Sequence, residues 1–174
     1  MRSRRTSKIN AVIFDRDETL ITDVPFNGDP EKVAALPETR ALLDRLRASG
    51  LRLAVVSNQS GVGRGYISME QVIAVNRRVD ELLGPFGGFF VCPHAPEDAC
   101  ECRKPKPKLI LDAARALGVA PQACLVVGDR DSDVAAARNA GAIPLKVNGP
   151  RDLAKAVVLR LRDLSVAPLR MTDS

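Results

Sequence analysis

The segment 10-NAVIFDRDET-19 decides the fold, because an apolar run ends directly in two acidic residues spaced two apart. An apolar run of this length, over residues 10–14, is typical of a strand that is buried on both faces. Strands of that kind belong to parallel sheets covered by helices, and the ligands of such sheets bind beyond the carboxyl ends of the strands. The segment therefore predicts a buried parallel strand, with Asp15 and Asp17 at the edge where a ligand would bind.

Outward from this segment, short apolar runs alternate with segments of helical length. Four more strands are predicted at 51–56, 89–92, 125–127 and 143–147. Helices are predicted at 37–49, 68–83, 107–117, 131–139 and 151–164, where capping residues and helical periodicity coincide. This alternation predicts an α/β fold: a three-layer, doubly wound, Rossmann-like sheet of five mainly parallel strands.

Length and composition indicate a single domain. The chain has 174 residues, of which 45% are hydrophobic, which suits one sizeable core. We expect a basic, disordered start at 1–8, one domain at 9–166 without a separate cap domain, and a frayed tail at 167–174. There is no apolar run of about eighteen residues, and the charged start lacks the apolar stretch of a signal peptide. We therefore expect a monomeric, cytoplasmic protein with no membrane partner.

The charge distribution favours a small anionic ligand over nucleic acid. The formal net charge is +5, but the basic residues are spread along the chain rather than gathered in one stripe. Aromatic residues make up only 3% of the chain, so there are few side chains on which bases could stack.

A metal-ligating pattern lies in the second half of the chain. Three of the four cysteines and the only histidine fall within eleven residues: Cys92, His94, Cys100 and Cys102. Three thiolates and an imidazole can form a closed tetrahedral Zn²⁺ site, and cytosolic reductants disfavour disulfides. The pattern predicts a structural zinc-binding loop. The remaining Cys124 stands in an apolar run and is expected to be a core residue.

The acid pair after the first strand admits more than one interpretation. While the chain stays extended, Asp15 and Asp17 point to one side and Arg16 to the other. Two neighbouring carboxylates suit a magnesium site, or a nucleophile with an acid partner. Two solvated loop acids would have the same sequence.

Further polar residues follow the other predicted strands. Ser57 precedes a glycine-rich segment that could bind an anion through its backbone amides or could be a flexible turn. Lys104 lies between the cysteine loop and two prolines, either held in place or part of a solvated basic loop. Asp129 follows a buried strand, whereas Asp131 and Asp133 open a helix and could serve only as caps.

These motifs occur in the order Asp-x-Asp-x-Thr, Ser, Lys and Gly-Asp, and together they resemble the haloacid dehalogenase superfamily of phosphatases. The resemblance spans about residues 10–147. It implies that Asp15 is the nucleophile that forms an aspartyl phosphate, and that Asp17 acts first as general acid and then as general base. It also implies that Ser57 and Lys104 bind the phosphoryl oxygens and that Thr19 orients the loop of Asp15.

The same resemblance implies two metals. Mg²⁺ would be held by the carboxylates of Asp15 and Asp129 and by the backbone carbonyl of Asp17. Zn²⁺ would be structural.

The segments 57-SNQSGVGRG-65 and 102-CRKPKP-107, with the Cys/His pairs, resemble a small, capless branch of that superfamily. This branch includes D-glycero-D-manno-heptose 1,7-bisphosphate 7-phosphatases and histidinol phosphatases. The resemblance implies hydrolysis of a sugar bisphosphate, with the heptose 7-phosphate as the leading expectation and histidinol phosphate as the alternative. It further implies substrate contacts from Asp23, Val24, Pro25, Phe26, Asn58, Gln59, Ser60, Arg103 and Arg130.

Three departures bear on the substrate rather than on the chemistry. Glu18 and Lys108 occupy positions where relatives usually have glycine. The segment 22-TDVPFNGDPEKV-33 replaces the histidine-glycine-tyrosine form of many heptose enzymes. A zinc-stabilised, non-catalytic module that binds nucleic acid is the alternative from another class of protein.

Overall fold

A five-stranded parallel sheet forms the centre of the protein, which a computed structural model describes over residues 8–164. Within that range the strands are β1 (Ala11–Asp15), β2 (Arg52–Asn58), β3 (Phe89–Cys92), β4 (Cys124–Gly128) and β5 (Ile143–Lys146). Their order across the sheet is β3-β2-β1-β4-β5, and all neighbouring pairs are parallel. The expectations for the first seven residues and for 167–174 concern segments outside the described range.

Helices cover both faces of this sheet. They are α1 (Thr39–Ala48), α2 (Ser60–Gly63), α3 (Met69–Leu83), α4 (Lys108–Leu117), α5 (Asp131–Asn139) and α6 (Pro150–Asp163). One apolar core lies between the sheet and α1, α3 and α6, and a second lies between the sheet and α4 and α5. The doubly wound α/β fold predicted from the sequence is confirmed.

The central strand β1 contributes to both cores. Val12 and Phe14 belong to the first core, and Ala11 and Ile13 belong to the second. All four side chains are fully buried, as the alternation of side chains along a strand requires when both faces are covered. The uninterrupted apolar run in the sequence thus reflects a strand with no solvent-facing side.

The five predicted strands and five predicted helices are present, with boundaries that differ by at most two residues. Ser68 caps α3 through Gln71, and Gly118 ends α4 in the left-handed conformation. The strand β2 ends two residues later than predicted and includes Ser57 and Asn58, because both pair with β3. Ser57 is therefore inside the strand rather than after it.

The sequence did not predict α2 or the short 3-10 helices at Pro30–Lys32, Pro96–Asp98 and Pro121–Ala123. Two of the four residues of α2 are glycines, which disfavour helices. A tertiary contact holds this turn, since the Gly63 amide donates to the carbonyl of Pro93 at 2.7 Å.

The segments between the strands hold no separate cap domain within the described range. None of the helices there is long and apolar enough to cross a membrane. Because all strands are parallel, their carboxyl ends meet at one edge of the sheet, and the candidate site lies at that edge.

Candidate active site

Three carboxylates from different elements meet at the carboxyl edge of the sheet. Asp15 ends β1, Asp129 follows β4, and Asp133 lies in the first turn of α5. Their oxygens lie within 4.8 Å of one another. Hard carboxylate oxygens so arranged fit a divalent cation such as Mg²⁺. Two of these acids were predicted as metal ligands.

Asp133 was interpreted from the sequence as a possible helix cap, and the structure gives it a second contact. One carboxylate oxygen accepts from the Arg130 amide at 3.1 Å, which is the capping bond. The other accepts from Lys104 Nζ at 2.6 Å. Asp131, by contrast, is exposed and pairs with Lys146 at 2.7 Å. Local sequence could not separate these two acids, because both occupy the first turn of one helix.

Lys104 is buried between two of the carboxylates. Its Nζ donates to Asp15 Oδ1 at 2.8 Å as well as to Asp133. Burial alone would lower the pKa of Lys104, but the two carboxylates more than offset it and raise the pKa. Burial raises the pKa of Asp15 to about 7, and Asp133 adds to that shift while Lys104 opposes it. The lysine charge is thus directed at the nucleophile implied by the resemblance.

Asn58 ties the segment of Lys104 to the end of β2. Its Nδ2 donates to the Lys104 carbonyl at 3.2 Å, and its Oδ1 accepts from the Lys104 amide at 3.1 Å. This pair of hydrogen bonds holds the backbone from which the lysine side chain extends. Asn58 therefore supports the backbone of Lys104.

The Asp17 side chain lies outside the carboxylate cluster. The chain turns after β1, as the Leu20 amide donates to the Arg16 carbonyl at 2.9 Å. The expectation that Arg16 points away from the acid pair is wrong for this reason: its guanidinium contacts the Asp17 carboxylate at 3.2 Å. Gln59 Nε2 donates to the same carboxylate at 2.9 Å.

A cavity of about 280 Å³ opens at this edge of the sheet. Asp15, Asp17 and Lys104 line it, and so do all the implied substrate contacts: 23–26, 58–60, Arg103 and Arg130. Arg103 contributes a buried Nη1 with no hydrogen-bond partner in the described part of the chain. An unpartnered cationic donor at a cavity is typical of an anion-binding site.

Two residues implied by the resemblance have different surroundings from those expected. Ser57 is only 3% exposed and is not among the residues that line the cavity. The Thr19 hydroxyl donates to Asp129 Oδ1 at 3.4 Å, so the side-chain hydrogen bond of Thr19 joins the turn after β1 to the end of β4.

The four predicted zinc ligands come together beside this cavity. Cys100 Sγ lies 3.6 Å from Cys92 Sγ and 3.7 Å from Cys102 Sγ. His94 Nδ1 lies 3.7 Å from Cys92 Sγ and 3.3 Å from Cys102 Sγ. Tetrahedral Zn²⁺ bonds of ~2.3 Å to sulfur and ~2.0 Å to nitrogen require ligand separations of about 3.5 to 3.8 Å. Three of the four distances fall in this range, and the separation of 3.3 Å between His94 Nδ1 and Cys102 Sγ is about 0.2 Å below it.

The haloacid dehalogenase-like hydrolase family matches residues 26–141, two thirds of the chain. The protein is a haloacid dehalogenase-like hydrolase. The matched segment begins after Asp15 and Asp17, and individual relatives match a larger share of the chain. A Thermoplasma acidophilum protein is 36% identical over 149 residues, which cover 83% of this chain and 92% of that protein. Its name is probable D-glycero-D-manno-heptose-1,7-bisphosphate 7-phosphatase.

The D-glycero-beta-D-manno-heptose-1,7-bisphosphate 7-phosphatase of Bordetella bronchiseptica is 34% identical over 152 residues, covering 83% of this hydrolase and 85% of the relative. The crystal structure of the D,D-heptose 1,7-bisphosphate phosphatase from B. bronchiseptica, complexed with magnesium and phosphate, matches with a TM-score of 0.74 and 30% identity. It covers 87% of both chains. These relatives identify the hydrolase as a phosphatase, so the alternative of a non-catalytic module is wrong.

Proposed function

We propose that the protein is a Mg²⁺-dependent phosphatase that removes the 7-phosphate of a heptose 1,7-bisphosphate through an aspartyl phosphate on Asp15. The observation that carries this proposal is the buried Asp15 carboxylate on a polar cavity, next to two further carboxylates and one lysine. The names of the similar proteins support the choice of sugar.

In the first half-reaction, an Asp15 oxygen attacks phosphorus and the bond from phosphorus to the sugar oxygen breaks. Asp17 donates a proton to the leaving oxygen and becomes a carboxylate. Lys104, 2.8 Å from Asp15, would meet the negative charge on the phosphoryl oxygens. A bound Mg²⁺ would offset the repulsion between the Asp15 carboxylate and the phosphate.

In the second half-reaction, the Asp17 carboxylate takes a proton from water, and the water oxygen attacks phosphorus. The bond between Asp15 and phosphorus breaks, which releases phosphate and restores both acids. For the metal, Asp15, Asp129 and the Asp17 carbonyl remain the proposed ligands. Asp133 is a further candidate because its carboxylate belongs to the same cluster.

A substrate with two phosphates suits the charges at the cavity. Lys104 would serve the transferred group, and the guanidinium groups of Arg103 and Arg130, which line the cavity, would serve an additional phosphate. Asp23 also lines the cavity and could pair with a cationic substrate. Histidinol phosphate is therefore the alternative to test.

Replacing the nucleophile tests the mechanism. We expect Asp15→Asn to lower phosphate release by at least about a thousandfold, because the amide cannot form the acyl phosphate. Activity of the unaltered protein should require added Mg²⁺. The matched control is Asp131→Asn, since the Asp131 carboxylate is exposed and pairs with Lys146, and this variant should retain activity. Turnover by Asp15→Asn close to that of the control would refute the mechanism.

A substrate panel tests the choice of sugar. We expect the highest kcat/KM for heptose 1,7-bisphosphate when both anomers, histidinol phosphate and a nucleic acid 3′-phosphate are compared with and without Mg²⁺. A higher kcat/KM for histidinol phosphate would replace the heptose assignment and leave the Asp15 mechanism in place.

A further inference from the structure

Arg16 is a buried charge that the proposed mechanism does not use. Its side chain is 2% exposed and is among the largest fully buried side chains of the described residues. Burying a guanidinium is costly unless its donors are paired. Nε and Nη2 each donate to a different oxygen of Asp17 at 3.2 Å, in the fork geometry by which arginine grips a carboxylate.

The third contact of Arg16 reaches a distant helix. Nη1 donates to Asn76 Oδ1 at 2.8 Å, across 60 residues of sequence. Asn76 is 6% exposed on α3, where its neighbour Val75 and the nearby Val79 are fully buried in the first core. The asparagine is therefore attached to a well-packed helix. A continuous connection runs from α3 through Asn76 and Arg16 to Asp17.

The donors around Asp17 are distributed unequally between its two oxygens. Oδ2 accepts from Arg16 Nη2 and from Gln59 Nε2, whereas within residues 8–164 Oδ1 accepts only from Arg16 Nε. Each carboxylate oxygen has about two lone-pair positions, so Oδ2 is fully used and Oδ1 keeps one. Asp17, whose Oδ1 keeps this unused lone-pair position, is one of the residues that line the cavity.

We propose that Asn76 and Arg16 are positioning residues for Asp17: Asn76 holds Arg16, and Arg16 with Gln59 orients the carboxylate so that Oδ1 exchanges the proton with the substrate. This inference rests on the proposed function, in which Asp17 protonates the leaving oxygen. When Asn76 loses its acceptor, Arg16 can rotate away from Asp17, and Oδ1 is no longer held toward the cavity.

The test compares leaving groups that need protonation to different extents. A sugar alkoxide leaves only with a proton, whereas p-nitrophenolate and acetate leave without one. In Asn76→Leu, we expect kcat/KM for the heptose bisphosphate to fall about tenfold and kcat/KM for p-nitrophenyl phosphate and acetyl phosphate to change by less than about twofold. Asn76→Asp retains an acceptor for Arg16, so its kcat/KM for the heptose bisphosphate should show little of the fall expected in Asn76→Leu.

Two controls separate positioning from loss of stability. Val75→Ala removes buried apolar atoms of α3 and leaves the Asn76 acceptor for Arg16 in place, so it should lower Tm and change kcat/KM equally for all substrates. Asn76→Ser, a smaller change, is measured alongside so that the comparison holds even if the leucine variant folds poorly.

A fall in kcat/KM that is equal for all three substrates, or no fall, in both Asn76→Leu and Asn76→Ser would refute the positioning role. Asp17→Asn distinguishes this failure from failure of the proposed function. If Asp17→Asn shows the leaving-group-selective loss and the Asn76 variants do not, only the present inference is wrong. If Asp17→Asn lacks that selectivity, the acid role of Asp17 is wrong as well.

Discussion

Glu18 occupies a backbone conformation that favours glycine. Its φ is 61°, in the left-handed region where a Cβ is disfavoured. The glutamate that replaces glycine at this position therefore carries backbone strain. The side chain compensates in part, since Oε1 accepts from the Asp23 amide at 2.9 Å. The bond connects the turn after β1 to the segment 23–26 that lines the cavity.

Two substitutions at Glu18 separate the backbone from the side chain. We expect Glu18→Ala to lose about 1 kcal/mol of unfolding free energy, because it keeps the disfavoured φ and loses the hydrogen bond to Asp23. We expect Glu18→Gly to be more stable than Glu18→Ala, because glycine adopts this φ without strain. Both should raise KM, since each frees the segment 23–26.

Chemical denaturation and steady-state kinetics measure the two effects. An alanine variant more stable than the glycine variant would show that strain at φ 61° is unimportant. An unchanged KM in both variants would show that the Glu18 bond does not order the segment 23–26 for substrate binding.

At the scale of elements, the loop from β3 to α4 carries both the proposed zinc ligands and Lys104. Cys102 lies two residues before the lysine, and Asn58 holds the lysine backbone from the β2 side. Lys106 Nζ adds a bond to the Cys100 carbonyl at 2.6 Å. The lysine is thus supported from two directions, by the ligand cluster and by the end of β2.

Removing one zinc ligand should loosen this support. We expect Cys102→Ser to lose bound zinc, to lower Tm and to raise KM about tenfold, because the metal fixes the loop without contacting the substrate. Zinc content, thermal unfolding and kinetics are the measurements. Cys124→Ala is the matched control: Cys124 is buried in β4 away from the ligand cluster, so zinc content and KM should stay unchanged. A zinc-free Cys102→Ser variant with unaltered kcat/KM would contradict a positioning role for the loop.

At the scale of the whole molecule, the sheet order concentrates negative charge at one edge. β1 lies between β2 and β4, so Asp15 meets acids that follow it by more than one hundred residues. Lys104 alone among the described residues forms a buried ion pair with these acids. Folding therefore assembles a cation site that the unfolded chain lacks.

Cation binding should consequently stabilise the fold. A ligand that binds only the folded state at 100 times its Kd adds about 2.7 kcal/mol to the free energy of unfolding. We expect Mg²⁺ to raise Tm in the unaltered protein and in Asp131→Asn. The rise should be much smaller in Asp129→Asn, which removes a carboxylate of the cluster. Equal rises in both variants would place Mg²⁺ elsewhere on the molecule.

The strands, the helices and the clustering of the Cys and His residues could be predicted from the sequence because each depends on neighbours along the chain. Periodicity and capping act within a few residues, as Ser68 with Gln71 and the fully buried β1 illustrate. The ligand spacing likewise lies within eleven residues. These signals predicted the fold class, and the order of the Asp-x-Asp-x-Thr, Ser, Lys and Gly-Asp motifs carried the resemblance to the family.

Contacts across the sheet and its covering helices were decided only by the tertiary structure. Asp133 meets Lys104 across 29 residues, Asn58 meets Lys104 across 46, and Arg16 meets Asn76 across 60. Each residue obeys an ordinary local rule as a helix cap, a strand end or a turn. Its partner follows from the order of the strands, which brings distant segments together at the carboxyl edge. Side-chain pairing there depends on the packing of whole elements, and periodicity along the chain carries no information about it.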